Sequence, residues 1–113
     1  MIEASCHCGA VRFTVETAPD EVNDCNCSIC RRLGALWAYY HPKDVRFAAD
    51  NGPTDTYMWR HRILAFHRCR ACGCITHWSP ANAEYPRMGV NARLMAPEVL
   101  AAARVYVGDG ASA

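Results

Sequence analysis

The segment Cys69-Arg70-Ala71-Cys72-Gly73-Cys74 places two thiols three residues apart and follows the second with a glycine. A C-x-x-C pair of this kind lets the chain turn tightly, so that two thiolates converge on one ion while backbone N–H groups point at the sulfurs. Gly73 supplies any positive φ without steric cost. We therefore expect Cys69 and Cys72 to be metal ligands, and the chain to enter a strand directly after them.

A shorter hook of the same design occurs near the start of the chain, at Cys6-His7-Cys8-Gly9. It too runs directly into a predicted strand. Two such hooks far apart in sequence can supply the four thiolates of a closed, tetrahedral, structural metal site. That site would tie the first strand of the fold to a late one, so metal binding and folding would be coupled.

The remaining group, Cys25-Asn26-Cys27-Ser28-Ile29-Cys30, is a compact set of three thiols with no obvious fourth protein ligand nearby. Zinc held by three protein ligands is the arrangement associated with catalysis, because its open fourth position lets the ion act as a Lewis acid or bind an exogenous thiolate. Ser28 is predicted to cap a single helical turn that ends at Gly34. The positive end of this turn favours thiolate over thiol. The sequence thus predicts an open zinc site.

Two side chains outside these groups are candidates for the fourth ligand of the open site. Cys74 is expected to be a small buried residue at the start of a strand, although it could complete the second site. His77 lies on the strand that leaves the third group and could act as fourth ligand or carry a proton. The other histidines are expected to be ordinary satisfied or solvated side chains: His7, His41, His61 and His67.

The length and composition of the chain limit the number of domains and the classes of partner. With 113 residues, of which 51% are hydrophobic and 20% charged, the chain suits one globular domain spanning residues 1–113. Its 12 Lys and Arg against 11 Asp and Glu give a net charge of +1, which argues against nucleic acid or a membrane as partner. The four-cysteine run of bacterial ferredoxins is absent, which disfavours an iron–sulfur protein.

The start of the chain and its hydropathy indicate the compartment. Residues 1–6 contain neither the cationic nor the apolar region of a secretory signal, and no apolar run approaches the roughly 20 residues that a membrane helix needs. We therefore expect a cytoplasmic protein. In a reducing cytosol, clustered cysteines are metal ligands more often than disulfides. The 8 cysteines therefore indicate metal binding.

Alternation and composition predict a mainly β chain. Val11, Phe13 and Val15 alternate with polar residues and form the inward face of a strand at 11–16. Aromatic and β-branched residues predict the other strands, at 36–40, 54–59, 63–67, 75–78 and 88–91, with a hairpin turn at 60–62. Five aromatic residues would line a pocket if the chain is an enzyme, but core packing is the preferred interpretation for most of them: Trp37, Tyr39, Tyr40, Trp59 and Trp78.

Helix is scarce. Besides the turn over residues 29–33, only residues 97–104 have helical signals, with Pro97 at a first position and Arg104 in the last turn. Residues 108–113 are expected to form a frayed tail.

The three cysteine motifs in order, C-x-C-G, C-x-C-S-x-C-R and C-x-x-C-G, resemble those of the glutathione-dependent formaldehyde-activating enzymes, a zinc-binding family classed as carbon–sulfur lyases. The resemblance spans Cys6 to Gly73. It implies a β-tent of small antiparallel sheets built around two zinc sites, with one or two short helical turns. It also implies a structural zinc held by Cys6, Cys8, Cys69 and Cys72, and a catalytic zinc held by Cys25, Cys27 and Cys30.

The resemblance further implies a reaction, in which glutathione adds to formaldehyde to give S-hydroxymethylglutathione, or the adduct is released. Zinc would hold the thiol or polarise the aldehyde oxygen. Arg31 and Arg32 adjoin the ligand loop and could bind the carboxylates of a glutathione-like substrate. The alternative is a non-catalytic zinc scaffold for a protein partner, which would have a protein ligand in the fourth position of the middle site.

Overall fold

The structure, a computed structural model, describes residues 1–60 and 62–112. This described part is mainly β, with ten strands and two short α-helices. The strands are β1 (Ile2–Ser5), β2 (Arg12–Val15), β3 (Glu21–Asn23), β4 (Trp37–Tyr40), β5 (Val45–Phe47), β6 (Thr54–Trp59), β7 (Leu64–Cys69), β8 (Ile75–Pro80), β9 (Met88–Asn91) and β10 (Arg104–Tyr106). The α-helices are α1 (Cys30–Leu33) and α2 (Pro97–Ala102), and short 3-10 turns cover Pro42–Asp44, Ala92–Leu94 and Gly110–Ser112.

Strands β1, β2 and β5 form a three-stranded antiparallel sheet. The alternation predicted here is confirmed, because Val11, Phe13 and Val15 are all buried. Phe13 pairs with Phe47 across β2 and β5, and the two rings lie 5.5 Å apart. Because one face of the sheet is buried, a slip of one residue would turn these side chains to solvent, and this fixes the register.

The other seven strands form one sheet in the order β10-β3-β4-β9-β8-β7-β6. Neighbouring strands run antiparallel, except that β10 runs parallel to β3. The longest pairing joins β6 to β7, from Thr54 opposite Cys69 to Trp59 opposite Leu64. The mainly β fold is thus confirmed, but this sheet is larger than expected and is mixed rather than purely antiparallel.

The main apolar core joins the two sheets, and a second large apolar cluster lies on the larger sheet. The main core combines residues of both sheets, among them Phe13 from the smaller sheet and the fully buried Val22 and Val90 from the larger one. A second cluster lies on the larger sheet, where Trp37, Phe66 and Trp78 pack with Cys27 and Cys30. The middle cysteine group is therefore embedded in an aromatic cluster and not in the main core.

The six predicted strands are confirmed, with small shifts at their ends. Residues 54–59 and 88–91 form β6 and β9 as predicted, whereas the strand expected at 63–67 is β7 at Leu64–Cys69. The turn predicted at 60–62 includes His61, which lies outside the described residues. On either side of it, Arg60 and Arg62 have positive φ angles of 52° and 66°.

The predictions for residues 97–113 need correction. The helix expected at 97–104 ends at Ala102, because Arg104 begins the strand β10 that pairs with β3. The frayed tail expected at 108–113 is wrong for the described residues 108–112, because Gly110–Ser112 form a 3-10 turn and this segment packs onto the middle cysteine group. Ala113 lies outside the described residues. The sequence patterns also do not reveal β1, of four residues, or β3, β5 and β10, of three residues each. Within the described residues, no helix has the length and apolar character needed to cross a membrane.

Candidate metal centres and adjoining cavities

The first and third cysteine groups meet where the two sheets adjoin. Cys6 and Cys8 lie between β1 and β2 of the smaller sheet, whereas Cys69 ends β7 of the larger sheet and Cys72 lies just before β8. The sulfurs of these four residues all lie within 4.8 Å of one another. The structure thus brings together the two hooks, which are 61 residues apart from Cys8 to Cys69.

The geometry of this cluster fits a tetrahedral four-thiolate metal site. The Cys8 sulfur lies 3.7 Å from the sulfurs of Cys6 and Cys69, and an ion with metal–sulfur bonds of about 2.3 Å holds its sulfurs about 3.8 Å apart. A disulfide needs about 2.05 Å, and all eight cysteines are free. Gly9 and Gly73 have φ angles of 81° and 80°, as the hook geometry predicts.

The pKa values of the four thiols also indicate a site for a cation. Backbone hydrogen bonds from Cys74 and Cys8 lower the pKa of the Cys72 thiol to about 5. The Ala10 backbone lowers the pKa of Cys8, but burial and the neighbouring thiols of Cys69 and Cys6 outweigh it and raise that pKa to about 11. Four thiolates this close repel one another, so without a cation they cannot all ionise. A divalent ion would remove that conflict and is the natural occupant of this donor set.

The middle group forms a second, smaller cluster. Cys25 and Cys27 lie on the loop between β3 and α1, and Cys30 is the first residue of α1. Their three sulfurs lie within 4.8 Å of one another. The Cys30 backbone N–H donates to the Cys27 sulfur at 3.4 Å, and the Trp37 indole N–H donates to the Cys30 sulfur at 3.4 Å. Both donors favour thiolate, the form that binds a metal.

These contacts divide the charge unevenly between the two buried thiols. Burial raises the pKa of Cys27, but the Cys30 backbone and the adjacent thiols of Cys30 and Cys25 outweigh it, and the net shift is downward. Burial and the Cys27 thiol raise the pKa of Cys30, against a smaller lowering by Trp37. Without a cation, the three thiols therefore cannot all ionise to thiolates. A metal ion would allow all three to ionise, so this donor set also fits a metal ion.

The short helix α1 holds Cys30 in this cluster. The predicted end at Gly34 is confirmed, because Gly34 has a φ of 70° and its N–H donates to the Cys30 carbonyl. The predicted cap is wrong: Ile29 is the N-cap residue, and no side chain caps the turn. The Ser28 carbonyl instead accepts a hydrogen bond from the Arg32 guanidinium at 2.7 Å.

Within residues 1–60 and 62–112, no fourth Cys, His, Asp or Glu side chain joins the middle cluster. Cys74 lies half-buried against Cys6 and Cys69, beside the four-thiol cluster. His77 is buried and stacks on His67, with ring centroids 4.0 Å apart. Cys74 is thus not buried as expected, and neither it nor His77 reaches the middle cluster.

The C-terminal segment covers one side of the middle cluster. The Asn26 backbone N–H donates to the Gly108 carbonyl at 3.0 Å, and the Ala111 N–H donates to the Asn26 side-chain oxygen at 2.9 Å. A Cβ atom on Gly110 would lie 2.8 Å from both the Cys25 sulfur and the Cys27 Cβ. Only glycine allows this approach, so the segment belongs to the site.

An apolar cavity of about 800 Å³ opens beside the middle cluster. Its walls include Trp37, Trp59, Phe66 and Trp78, together with all three cysteines of the cluster. Four of the five aromatic residues singled out in the sequence line it: Trp37, Tyr39, Trp59 and Trp78. Core packing is confirmed for Trp37 and Trp78, which are buried in the aromatic cluster, and Tyr39 and Trp59 pack against them, so these residues both form the cluster and line the cavity. Tyr40 points elsewhere, and its hydroxyl donates to the Thr17 carbonyl.

A second cavity of about 930 Å³ also borders Cys27. Apolar side chains such as Met58 and Trp59 form much of its wall, and three cationic side chains also line it: Arg31, Arg60 and Arg62. Arg31 is one of the two arginines expected to bind a glutathione-like substrate. Arg32, the other, is not among the residues that line either cavity. Sequence reasoning missed Arg60 and Arg62, although the charged turn between two strands was a signal that could have found them.

The chain matches known proteins over nearly its whole length. The family model of the glutathione-dependent formaldehyde-activating enzymes matches residues 1–108. The chain belongs to this family. The resemblance drawn from the three cysteine motifs is thereby confirmed, and the activity for which the family is named is the glutathione-dependent activation of formaldehyde.

Two further comparisons, one with a curated protein and one with a solved structure, found proteins similar to this chain. A curated Halomonas elongata protein, provisionally named for the same family, is 58% identical over 40 residues, which are 34% of this chain and 26% of that protein. The match thus spans about a quarter of that relative's length. The crystal structure of a Rhodobacter sphaeroides protein has a TM-score of 0.75 and 29% identity, covering 93% of this chain and 100% of that one.

Proposed function

We propose that this chain is a zinc-dependent carbon–sulfur lyase acting on a thiol–aldehyde adduct such as S-hydroxymethylglutathione. The observation that carries the proposal is the middle cluster, in which three thiols converge without a fourth described protein ligand and face a cavity. The Cys6, Cys8, Cys69 and Cys72 set would hold a structural zinc ion. The Cys25, Cys27 and Cys30 set would hold a catalytic one.

The reaction is a reversible addition that needs no oxidant or reductant. In the forward direction the thiol loses its proton, a carbon–sulfur bond forms at the aldehyde carbon, and the aldehyde oxygen gains a proton. In the lyase direction the same bond breaks, and the proton of the adduct hydroxyl returns to the sulfur. A zinc ion at the three-cysteine site would supply Lewis-acid chemistry and lower the pKa of a bound thiol.

The residues around the cluster orient the substrate and limit water. The indole N–H of Trp37 and the backbone N–H of Cys30 hold the cysteine sulfurs in place. The Arg31 guanidinium would pair with a carboxylate of the thiol substrate, since such charge-assisted hydrogen bonds are both strong and directional. Aromatic walls beside the cluster exclude water and strengthen these electrostatic interactions. A cytoplasmic setting suits this chemistry, because thiols stay reduced there.

The scaffold alternative predicts a different middle site. A closed structural zinc site uses four protein ligands, and the described residues offer three at the middle cluster. Cys74 and His77, the candidates for a fourth ligand in the scaffold alternative, lie away from the middle cluster. The geometry therefore favours the enzyme.

Exchange NMR tests the proposed function. Purified protein should contain two zinc ions per chain, and it should accelerate exchange between free glutathione, formaldehyde and their adduct above the protein-free rate. Cys27→Ser should abolish the acceleration, while Asn51→Ser, far from the cluster, should retain it. Zinc-loaded protein that gives no acceleration would remove the substrate assignment. One zinc ion per chain would remove the catalytic metal.

A further inference from the structure

We propose, resting on the proposed function, that the aldehyde part of the physiological adduct carries a bulky apolar group, preferably aromatic, instead of the hydrogen of formaldehyde. The thiol part carries the anionic groups. The adduct would lie across the middle cluster, with its apolar substituent in the aromatic cavity and its carboxylates in the arginine cavity.

The two cavities meet at the middle cluster. Four residues line both of them: Cys27, Trp59, Arg60 and Ile63. A substrate whose reacting carbon lies near the Cys27 sulfur would therefore border both cavities. A carbon–sulfur bond is a suitable junction, because it joins the aldehyde-derived half of the adduct to its thiol half.

The aromatic cavity is much larger than the hydroxymethyl group that formaldehyde contributes to an adduct. Its volume is about 800 Å³, which lies within the roughly 300–1,000 Å³ of sites for drug-sized ligands. A cavity of about 150 Å³ already holds benzene, and a water molecule occupies about 30 Å³ of liquid. A hydroxymethyl group has only two heavy atoms and would leave most of this volume to water against apolar walls. A ring fills it far better.

The walls of this cavity also select for an apolar group. The rings of Tyr39 and Trp78 lie 6.1 Å apart and are tilted by 58°, and Trp37 and Phe66 are arranged in a similar way. Edges and faces are therefore both available to a ligand ring, which is how aromatic groups prefer to pack. The Arg87 guanidinium lies 3.7 Å from the centre of the Tyr39 ring.

Glutathione itself does not suit the aromatic cavity. It has two carboxylates, an ammonium and two amides, and burial of such groups without enough partners is costly. The aromatic cavity has mainly apolar walls, with Arg60, Asn82 and Arg87 as its amide and cationic side chains. The arginine cavity offers those partners, with three guanidinium groups and the side chains of Asn26 and Ser28. The thiol half therefore belongs in the arginine cavity, which leaves the aromatic one for the aldehyde half.

One donor at the boundary between the cavities fits the adduct hydroxyl. Among the described residues, the Trp59 indole N–H is buried without a hydrogen-bond partner. A buried donor without a partner costs free energy, so we expect the Trp59 side chain to shift on binding and bring this N–H to the adduct oxygen. No redox step is needed: the carbon–sulfur bond breaks, the hydroxyl proton moves to sulfur, and the free aldehyde leaves with its apolar substituent.

Binding of unreactive thioethers to the zinc-loaded protein tests the inference. S-benzylglutathione and S-methylglutathione share the thiol half and differ only in the group offered to the aromatic cavity. We expect the benzyl compound to bind about tenfold tighter or more by titration calorimetry, because it buries a ring. Equal affinities would overturn the proposal.

Two variants connect that preference to the cavity. Ala81→Trp fills the aromatic cavity from its exposed rim and should reduce benzyl binding to the level of methyl binding, with methyl binding unchanged. Ala101→Trp is the matched control, on an exposed position of α2 outside both cavities, and should keep the preference. Tyr85→Ala removes an exposed wall residue and should weaken benzyl binding alone. A preference that survives Ala81→Trp and Tyr85→Ala contradicts the assignment.

The inference and the proposed function fail in different ways. If exchange NMR shows acceleration for formaldehyde but none for benzaldehyde with glutathione, the inference is wrong and the lyase activity stands. If no adduct exchanges faster although the benzyl preference depends on Ala81, the two-cavity assignment stands as a binding site and the lyase activity is wrong.

Discussion

The Trp37 indole nitrogen lies 3.4 Å from the Cys30 sulfur and donates a hydrogen bond to it. Trp37 comes from β4, where it is 1% exposed, and Cys30 begins α1. A core side chain of the larger sheet thus fixes a thiol of the middle cluster. This bond couples the packing of the sheet to the charge on the proposed metal ligand, since the Trp37 N–H lowers the pKa of that thiol.

Trp37→Phe should weaken metal binding at the middle cluster about tenfold, because a hydrogen bond to a charged group contributes about 1.5–3 kcal/mol. The ring keeps the packing against Phe66, so the fold should survive. Competition with a chromophoric zinc chelator measures the change. Trp78→Phe is the control, since it makes the same change in the same aromatic cluster. Equal metal affinities in the two variants would show that the indole N–H plays no such role.

The two clusters should differ in what they do for stability. Cys69 is 1% exposed and belongs to the cluster that joins the two sheets. Structural zinc contributes about 10 kcal/mol or more in small modules, which is comparable to the total stability of a domain, about 5–15 kcal/mol. Cys69→Ser should therefore abolish cooperative thermal unfolding, whereas Cys27→Ser should retain it. Unfolding of both variants alike would mean that the division into structural and catalytic sites is wrong.

The sequence predicted how the sulfurs converge within each cysteine group because that information is local, whereas the meeting of the first and third groups was inferred from two matching hooks. The spacing within each hook and the glycines after Cys8 and Cys72 determine which sulfurs can converge, and the structure brings them together as expected. The parallel pairing of β10 with β3 is different. It joins Arg104 to Glu21, and three-residue strands have too few side chains to show a period.

The covering C-terminal segment escaped prediction for a related reason. Small and polar residues at the end of a chain are typical of a frayed terminus. Here the partners of that segment, Asn23 and Asn26, lie 85 residues earlier, and no local pattern encodes such a contact. The aromatic residues were ambiguous because a cavity wall and a core use the same side chains.

Gly110→Ala should lower metal occupancy at the middle cluster. Its new Cβ would lie 2.8 Å from the Cys25 sulfur, so either the C-terminal segment or the cysteine loop must move. Dialysed protein should fall from two metal ions per chain towards one, by elemental analysis. Gly52→Ala is the control, because its Cβ would meet only Ala10, at 3.3 Å and more. Full occupancy in Gly110→Ala would show that the segment does not constrain the site.

His77 should make the protein less stable in acid. Burial, with a contribution from His67, lowers the pKa of His77 to about 3, against about 6.5 in the unfolded chain. The unfolded state therefore binds more protons between pH 6.5 and 3, and stability falls as the pH falls through that window. The groups that face His77 are the Thr76 hydroxyl and the rings of His67 and Phe47.

His77→Phe removes this titration. The cysteines are the same in the wild type and the variant, so the effect of their protonation cancels when the two proteins are compared. From pH 7.5 to pH 5, wild type should lose about 2 kcal/mol more unfolding free energy than the variant. Urea unfolding at the two pH values measures this difference. Parallel losses would show that His77 is not held neutral by its burial.

Arg31→Gln should raise KM for a glutathione adduct about tenfold and leave kcat nearly unchanged. The guanidinium lines the cationic cavity, where it would bind a carboxylate in the ground state and the transition state alike, and loss of such uniform binding appears in KM. Arg46→Gln is the matched control, because Arg46 lies on β5 and lines neither of the two cavities beside the middle cluster. Higher salt should raise KM of the wild type more than that of Arg31→Gln, since screening weakens a charge pair and leaves a neutral amide contact unaffected. A change confined to kcat would instead mean that Arg31 acts on the reacting atoms.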